Sequence, residues 1–398
     1  MTRPPCSVNG IRLGTAGAGI KHPDRDDVLV IEAAPNSSCA AVFTRNAFCA
    51  APVIVAREHL AASPQWLLIN SGNANAGTGQ RGLDDARATC AALADQVHAE
   101  ACKVLPFSTG VIGEFLPIDK IAAALPRAVA ALDEDGWEKA ARAIMTTDTK
   151  PKLASRAIDV DGQCVRVTGI AKGAGMIQPN MATMLAFMAT DARVEQADLQ
   201  ALLVDAADAS FNCITIDGDT STNDACVLLA SGTSGGPVLV PGTAGFQAFS
   251  RAVHDVCSEL AELIVRDGEG ATKLIRIRVE GARDEAEARA VAKTIAHSPL
   301  VKTAFFASDP NWGRILAAVG RAGCEDLEID RVAIWLDDVQ IVACGGRAPD
   351  YTEMAGAAVM AQPEILIRVV LGRGSATQTV LTCDFSYDYV RINAEYRT

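Results

Sequence analysis

Segments with strand periodicity and segments with helix periodicity alternate along nearly all of this 398-residue chain, and that alternation limits its fold more than any single motif does. Within 83–102, Ala86, Cys90, Leu93 and Val97 recur at three- and four-residue spacing and predict a helix. Helices are also expected over 118–132, 137–145, 196–209 and 285–296. Over 246–264 the residues Phe246, Phe249, Val253, Val256, Leu260 and Leu263 form one apolar stripe. Strands are expected at 163–170 and 184–190, with short apolar strands at 211–216 and 225–229 around GDTSTND. Further strands are expected at 274–279, 332–336, 339–344, 365–371 and 377–383. Mixed sheets covered by helices follow from this pattern, whereas a single parallel, doubly wound sheet does not.

Composition excludes several functions. Apolar residues make up 49% and charged residues 21%, which is a globular balance in a chain long enough for two or three structural units. A net charge of −12 argues against binding nucleic acid through its phosphates and leaves small-molecule substrates open. The 12 cysteines stand singly, without CxxC spacing or neighbouring histidines, so the usual signature of a zinc site is missing. Cys213 and Cys226 lie in apolar surroundings and are expected to pack in the core. The N-terminal residues do not read as a secretion signal, and no apolar run has the length of a membrane span. A cytoplasmic location with reduced thiols is therefore expected.

The turn KGAGMIQPNMATML at 172–185 joins two chemically different halves of the chain, and Lys172 stands at a strand exit where its side chain can reach a cleft. A threonine hydroxyl is a weak nucleophile until a base sits beside it. A free N-terminal amine on the same residue is such a base, with a reference pKa of roughly 7.7 to 8. By residue type alone, however, an internal threonine after an alanine is structural. GAGM at 173–176 is too short for a dinucleotide fingerprint, and GEGATK at 268–273 lacks the GxxxxGK[ST] spacing of a phosphate loop. The five histidines, at 22, 59, 98, 254 and 297, do not announce a Ser-His-Asp triad.

Nine ordered segments decide among these readings. They are GIKHPDRDDVLVI at 19–31, LINSGNANAGTG at 68–79, STGVIGE at 108–114, MTTDTKPK at 145–152 and the 172–185 turn, followed by TIDGDTSTND at 215–224, RDGEGATKL at 266–274, DPNWGRI at 309–315 and NAEYRT at 393–398. Together they resemble the ornithine acetyltransferase family, the bifunctional glutamate N-acetyltransferases of arginine biosynthesis, over nearly the whole chain. One departure is Ser308, where the resemblance leads one to expect glycine or alanine.

The resemblance implies an α/β (α+β) fold of stacked mixed β-sheets between helical layers that processes itself. Cleavage between Ala182 and Thr183 would give an N-terminal fragment, 1–182, and a C-terminal fragment, 183–398, that share one active site in a heterotetramer of two of each. Thr183 is implied as nucleophile, and Thr109 and Gly110 as the oxyanion hole. Thr149, Lys172, Thr183, Glu269, Asn393 and Thr398 are implied as substrate-binding residues. The charge of Lys172 suits a carboxylate, and that of Glu269 suits the distal ammonium of ornithine. The implied reaction moves an acetyl group from N2-acetylornithine to glutamate by a ping-pong cycle through acetyl-Thr183, with no metal or other cofactor. Acetyl-CoA stays open as a second donor. The nearest alternative is a self-processing N-terminal-nucleophile aminopeptidase or amidase, in which water takes the acyl group. The non-enzymatic alternative is a regulatory or structural protein, told apart by an uncut chain that binds metabolites of the same pathway but never forms an acyl-Thr183 species.

Overall fold

A computed structural model describes residues 6–178 and 184–396. The chain divides into two compact units, one formed by 1–212 with 219–264 and the other by 213–218 with 265–398. Neither follows the 182/183 boundary.

The first unit contains β1 (Ile11–Ala16), β2 (Val28–Ala33), β3 (Ser38–Phe43), α1 (Ala51–Leu60), β4 (Trp66–Asn73), α2 (Gly79–Val97), β5 (Val104–Val111), α3 (Ile118–Ala130) and α4 (Trp137–Ala143). It continues with β6 (Lys152–Val160), β7 (Gln163–Lys172), β8 (Leu185–Thr190), β9 (Arg193–Val194), α5 (Gln196–Ala209), β10 (Ala225–Ala230), β11 (Val238–Leu239) and most of α6 (Ala244–Arg266). Two sheets form, in the orders β1-β2-β4-β5 and β3-β10-β8-β7-β6, while β9 and β11 pair separately. Both large sheets are mixed, since β4–β5 and β8–β10 run parallel and the other pairs antiparallel.

The sheets stack face to face. Leu29, Leu67 and Phe107 of the first share a core with Ile170, Phe187 and Val227 of the second. The Phe107 and Phe187 rings meet edge to face with centroids 5.0 Å apart. On its other face the first sheet packs Val28, Leu68 and Val104 against α2 and α3. On the far side of the second sheet, Gly169 of β7 lies so near α6 that a Cβ would come within 3.1 Å of Leu260. The result is the expected pair of mixed sheets between helical layers. It also explains why β4 and β10 are buried along their whole length, as strands covered on both faces carry continuous apolar runs.

The second unit contains β12 (Leu274–Ala282), α7 (Glu285–Ala296), α8 (Pro299–Phe306), α9 (Trp312–Gly320), β13 (Ala333–Leu336), β14 (Val339–Ala343), β15 (Gly346–Arg347), α10 (Glu353–Met360), β16 (Glu364–Val370), β17 (Ala376–Cys383) and α11 (Tyr387–Ala394). Its single sheet has the order β15-β14-β13-β16-β12-β17. Ile277, Val291, Ile295, Val319 and Ile367 lie in its core.

Two expected elements differ. The helix read over 83–102 runs from Gly79 to Val97 and stops at His98, whose left-handed backbone (φ 54°) turns its N–H back to the Ala94 carbonyl. The strand read over 211–216 is a 3₁₀ turn at Phe211–Cys213 followed by one bridge from Ile214 to Leu381. The apolar residues there are buried, but the run is divided between the two units and never lines up along a ladder. Ser308, the departure from the family pattern, has a φ of 54°, a region that favours glycine. Its hydroxyl accepts a 2.6 Å hydrogen bond from Lys273 Nζ.

Candidate active site

The site grows out of the parallel pair β4–β5. Near their ends the register slips between Gly72 and Asn73. Across from the slip, Gly110 takes a φ of +134°, and a Cβ on it would stand 2.3 Å from the Gly72 carbonyl carbon. Only glycine fits there. Thr109, the preceding residue, is buried.

Asparagines fix this corner. Ser108 Oγ donates to Asn70 Oδ1 at 2.6 Å, and Asn70 Nδ2 donates to the Asn73 carbonyl at 2.9 Å. From the loop before β10, Asn223 Nδ2 donates to the carbonyls of Ala74 at 2.6 Å and Ser108 at 2.9 Å. That loop is held in turn by Thr44, whose N–H donates to the Asp224 carbonyl and whose hydroxyl donates to the Ser221 carbonyl. Such a connected network of buried polar groups gives the backbone at 108–110 one conformation.

Thr109, Lys172, Met184, Ser221, Asn223 and Asp224 line a cavity of about 30 Å³ in this unit. That volume holds a water molecule or a single carbonyl oxygen. Lys172 is the last residue of β7 and is buried. Next to it Asp148 accepts hydrogen bonds from Lys152 Nζ at 2.5 Å, from the Gly173 N–H at 2.7 Å and from the Thr146 N–H at 3.0 Å. Burial pushes this carboxyl up, but the charges of Lys172 and Lys152 and these hydrogen bonds outweigh it and bring the pKa down to about 2. Asp224 behaves oppositely. Burial raises its pKa well above the ordinary carboxylate range, against hydrogen bonds from Ser221 and the charge of Lys172.

The structure thus brings Thr109 and Lys172 to one cavity, with Gly110 next to Thr109 in the chain. Thr149 follows Asp148 but is itself exposed and does not line the cavity. In the second unit, Asn393 Nδ2 donates to Glu269 Oε2 at 2.7 Å, so these two predicted residues also meet. Glu269 is buried where the RDGEG turn lies against α11. A Cβ on Gly270 would stand 2.6 Å from the Tyr389 nitrogen, which is why the turn needs glycine. Ala182, Thr183 and Thr398 lie outside the described residues. Sequence reasoning passed over Asp148, Lys152 and Asp224. Each falls in a segment that carries the family resemblance, and the available signal was an acidic residue beside lysines or at the end of a polar loop.

Comparison with known proteins places the chain. The model of the ArgJ family matches residues 12–398. The chain belongs to the ArgJ family. Among ArgJ relatives, the arginine biosynthesis bifunctional protein ArgJ of Methylococcus capsulatus is 70% identical over 99% of this chain and 96% of its own length. The corresponding protein of Pseudomonas syringae is 56% identical over 98% of this chain and 97% of its own. A crystal structure of the arginine biosynthesis bifunctional protein argJ from Bacillus halodurans is 40% identical, covering 51% of this chain and 95% of that one, with a TM-score of 0.49. Among the described residues, no helix is long and apolar enough to cross a membrane.

Proposed function

We infer that this chain is a glutamate N-acetyltransferase of arginine biosynthesis that moves the acetyl group of N2-acetylornithine to glutamate. The observation that carries the reading is 70% identity over 99% of the chain to a bifunctional arginine-biosynthesis protein. The cavity that joins Thr109 to Lys172 supports it.

The precursor first cuts itself. Thr183 Oγ attacks the Ala182 carbonyl, the C–N bond breaks as the Thr183 nitrogen takes the hydroxyl proton, and water hydrolyses the resulting ester. The new amine then serves Thr183 as its base. Thr183 Oγ attacks the acetyl carbonyl of the donor, and the Thr109 hydroxyl and Gly110 N–H stabilise the oxyanion. Ornithine leaves with a proton, and the glutamate amine takes the acetyl group from Thr183 in the second half of the cycle. Lys172 and Glu269 complement the charged ends of acetylornithine, and Thr149, Asn393 and Thr398 complete its binding. The reaction needs no metal or redox cofactor, and acetyl-CoA stays open as a second acetyl donor that would present its thioester to Thr183. The two fragments stay together as a heterotetramer of two of each. The 12 free cysteines support a cytoplasmic location.

Intact-mass measurement tests the first step. Fragments of 182 and 216 residues are expected, 216 being 398 minus 182, while Thr183→Ala stays whole and inactive. A fully active, uncut wild-type chain would sink the mechanism. Kinetics with acetylornithine and with acetyl-CoA, each paired with glutamate, test the donor. Turnover of acetyl-CoA alone would overturn the substrate assignment. Glu269→Ala is expected to cleave normally yet lose its preference for acetylornithine over acetylated amino acids with neutral tails. Equal relative rates in variant and wild type would reject that role.

A further inference from the structure

We propose that Asp224 works as a neutral acid, donating its Oδ2 proton as a hydrogen bond to the acyl oxygen bound in the Thr109 cavity, beside the Thr109 hydroxyl and the Gly110 N–H. The inference rests on the acyl-transfer reading above.

Three observations carry it. Asp224 is among the residues that line the cavity of Thr109 and Lys172, and only 2% of the residue is exposed. Its Oδ2 has no hydrogen-bond partner among the described residues and is sealed from solvent. Leaving such an atom unsatisfied is costly, and a ligand oxygen in the cavity relieves the cost. The backbone around it is pinned as well. The Thr44 N–H donates to the Asp224 carbonyl at 2.9 Å, and the Ala225 N–H donates to the Met184 carbonyl at 2.9 Å. These bonds fix the backbone that carries the carboxyl and tie the strand that follows it to Met184, the residue directly after the proposed nucleophile.

The surrounding charges fit a protonated group. Ser221 hydrogen-bonds the carboxyl and Lys172 acts on it from β7, but burial outweighs both. The Cys49 thiol also feels the charge of Asp224, and Arg57 of α1 acts on that thiol. The negative charge that balances Lys172 already comes from Asp148. An ionised Asp224 would repel the charge that develops on the acyl oxygen, whereas a neutral one stabilises it. The proton stays on Oδ2 throughout, so the step is a hydrogen bond and not a transfer.

Two substitutions separate the donor role from simple packing. Asp224→Asn keeps the shape and an N–H donor but cannot ionise. Asp224→Leu keeps only the bulk. Self-cleavage and acetyl transfer are expected to stay within about tenfold of wild type in Asp224→Asn and to fall by about 10²- to 10³-fold in Asp224→Leu, the loss typical of one missing oxyanion donor. An Asn variant as inactive as the Leu variant, or an active Leu variant, overturns the assignment. Difference infrared spectra of wild type against Asp224→Asn at pH 7 read protonation directly. A protonated-carboxyl band lost on substitution supports the proposal, and its absence from the wild type overturns it. This readout needs no turnover, so it decides the case even if Asp224→Leu does not fold. A wild-type chain that never transfers acetyl groups would instead overturn the functional reading.

Discussion

Asp148 is sealed from solvent and still keeps its charge, because Lys152 and Lys172 flank it and two backbone N–H groups point at it. Its folded pKa, about 2, lies below the ordinary value of 3.8, so the group stabilises the fold fully above pH 4. As pH falls from about 4 to about 2, that contribution of roughly 2 kcal/mol is lost. Asp148→Asn removes a buried negative charge beside Lys152 and Lys172, and is expected to cost about 3 kcal/mol at pH 7 and much less near pH 2. Urea unfolding at the two pH values checks this, and an equal cost at both would reject the electrostatic account. None of this was legible in MTTDTKPK, because burial does not show in local charge pattern. Gly110 was legible only through the resemblance, as an oxyanion-hole residue, and the clash a Cβ would make with Gly72 shows why glycine stands there. Gly110→Ala is accordingly expected to yield little soluble protein, as judged by recovery on gel filtration.

At the end of α7, helix and environment pull His297 in opposite directions. A helix C-terminus favours a charged ring. Burial, followed by Lys293, Lys302 and Arg321, outweighs that and depresses the pKa to about 4. The unfolded chain therefore binds this proton first as pH falls, so the stabilising effect is complete above pH 6.5 and is lost between about 6.5 and 4. Replacing His297 with Gln should flatten the fall in melting temperature between pH 7 and pH 5, and an unchanged slope would show that other groups set it. Elements themselves were unevenly readable. α6 and α7 announced themselves because one face of each is polar, leaving a clear stripe. β1 to β4 were not picked out, since strands such as β2 and β4 are covered on both sides and show little alternation. The short run at 211–216 looked like a strand because apolar residues in a buried turn and in a ladder have the same composition.

For the molecule as a whole, the order β3-β10-β8-β7-β6 is the telling feature. β8 and β10 come from after residue 183, and β3, β7 and β6 from before residue 182. The resemblance to the acetyltransferase family indicated stacked sheets and a cut, but not that the proposed cut lies between strands that pair directly, as β7 and β8 do from Lys172↔Leu185 to Val167↔Thr190. Strand order depends on contacts far apart in sequence, which periodicity does not record. The cleaved protein is expected to elute as one species under native conditions and to separate only in denaturant, and native dissociation of the two pieces would contradict this sheet. The same weave sets a sequence of events. Strands β8 and β10 can find their slot only while the sheet is forming, so the proposed self-cleavage requires that the chain fold before it is cut. Pieces synthesised apart would each carry an unmated edge and would have to meet before aggregation claimed them. Self-cleavage, on this account, is a one-way latch: it removes the tether after the tether has done its work, and a protein unfolded afterwards should refold far less readily than its uncut Thr183→Ala form.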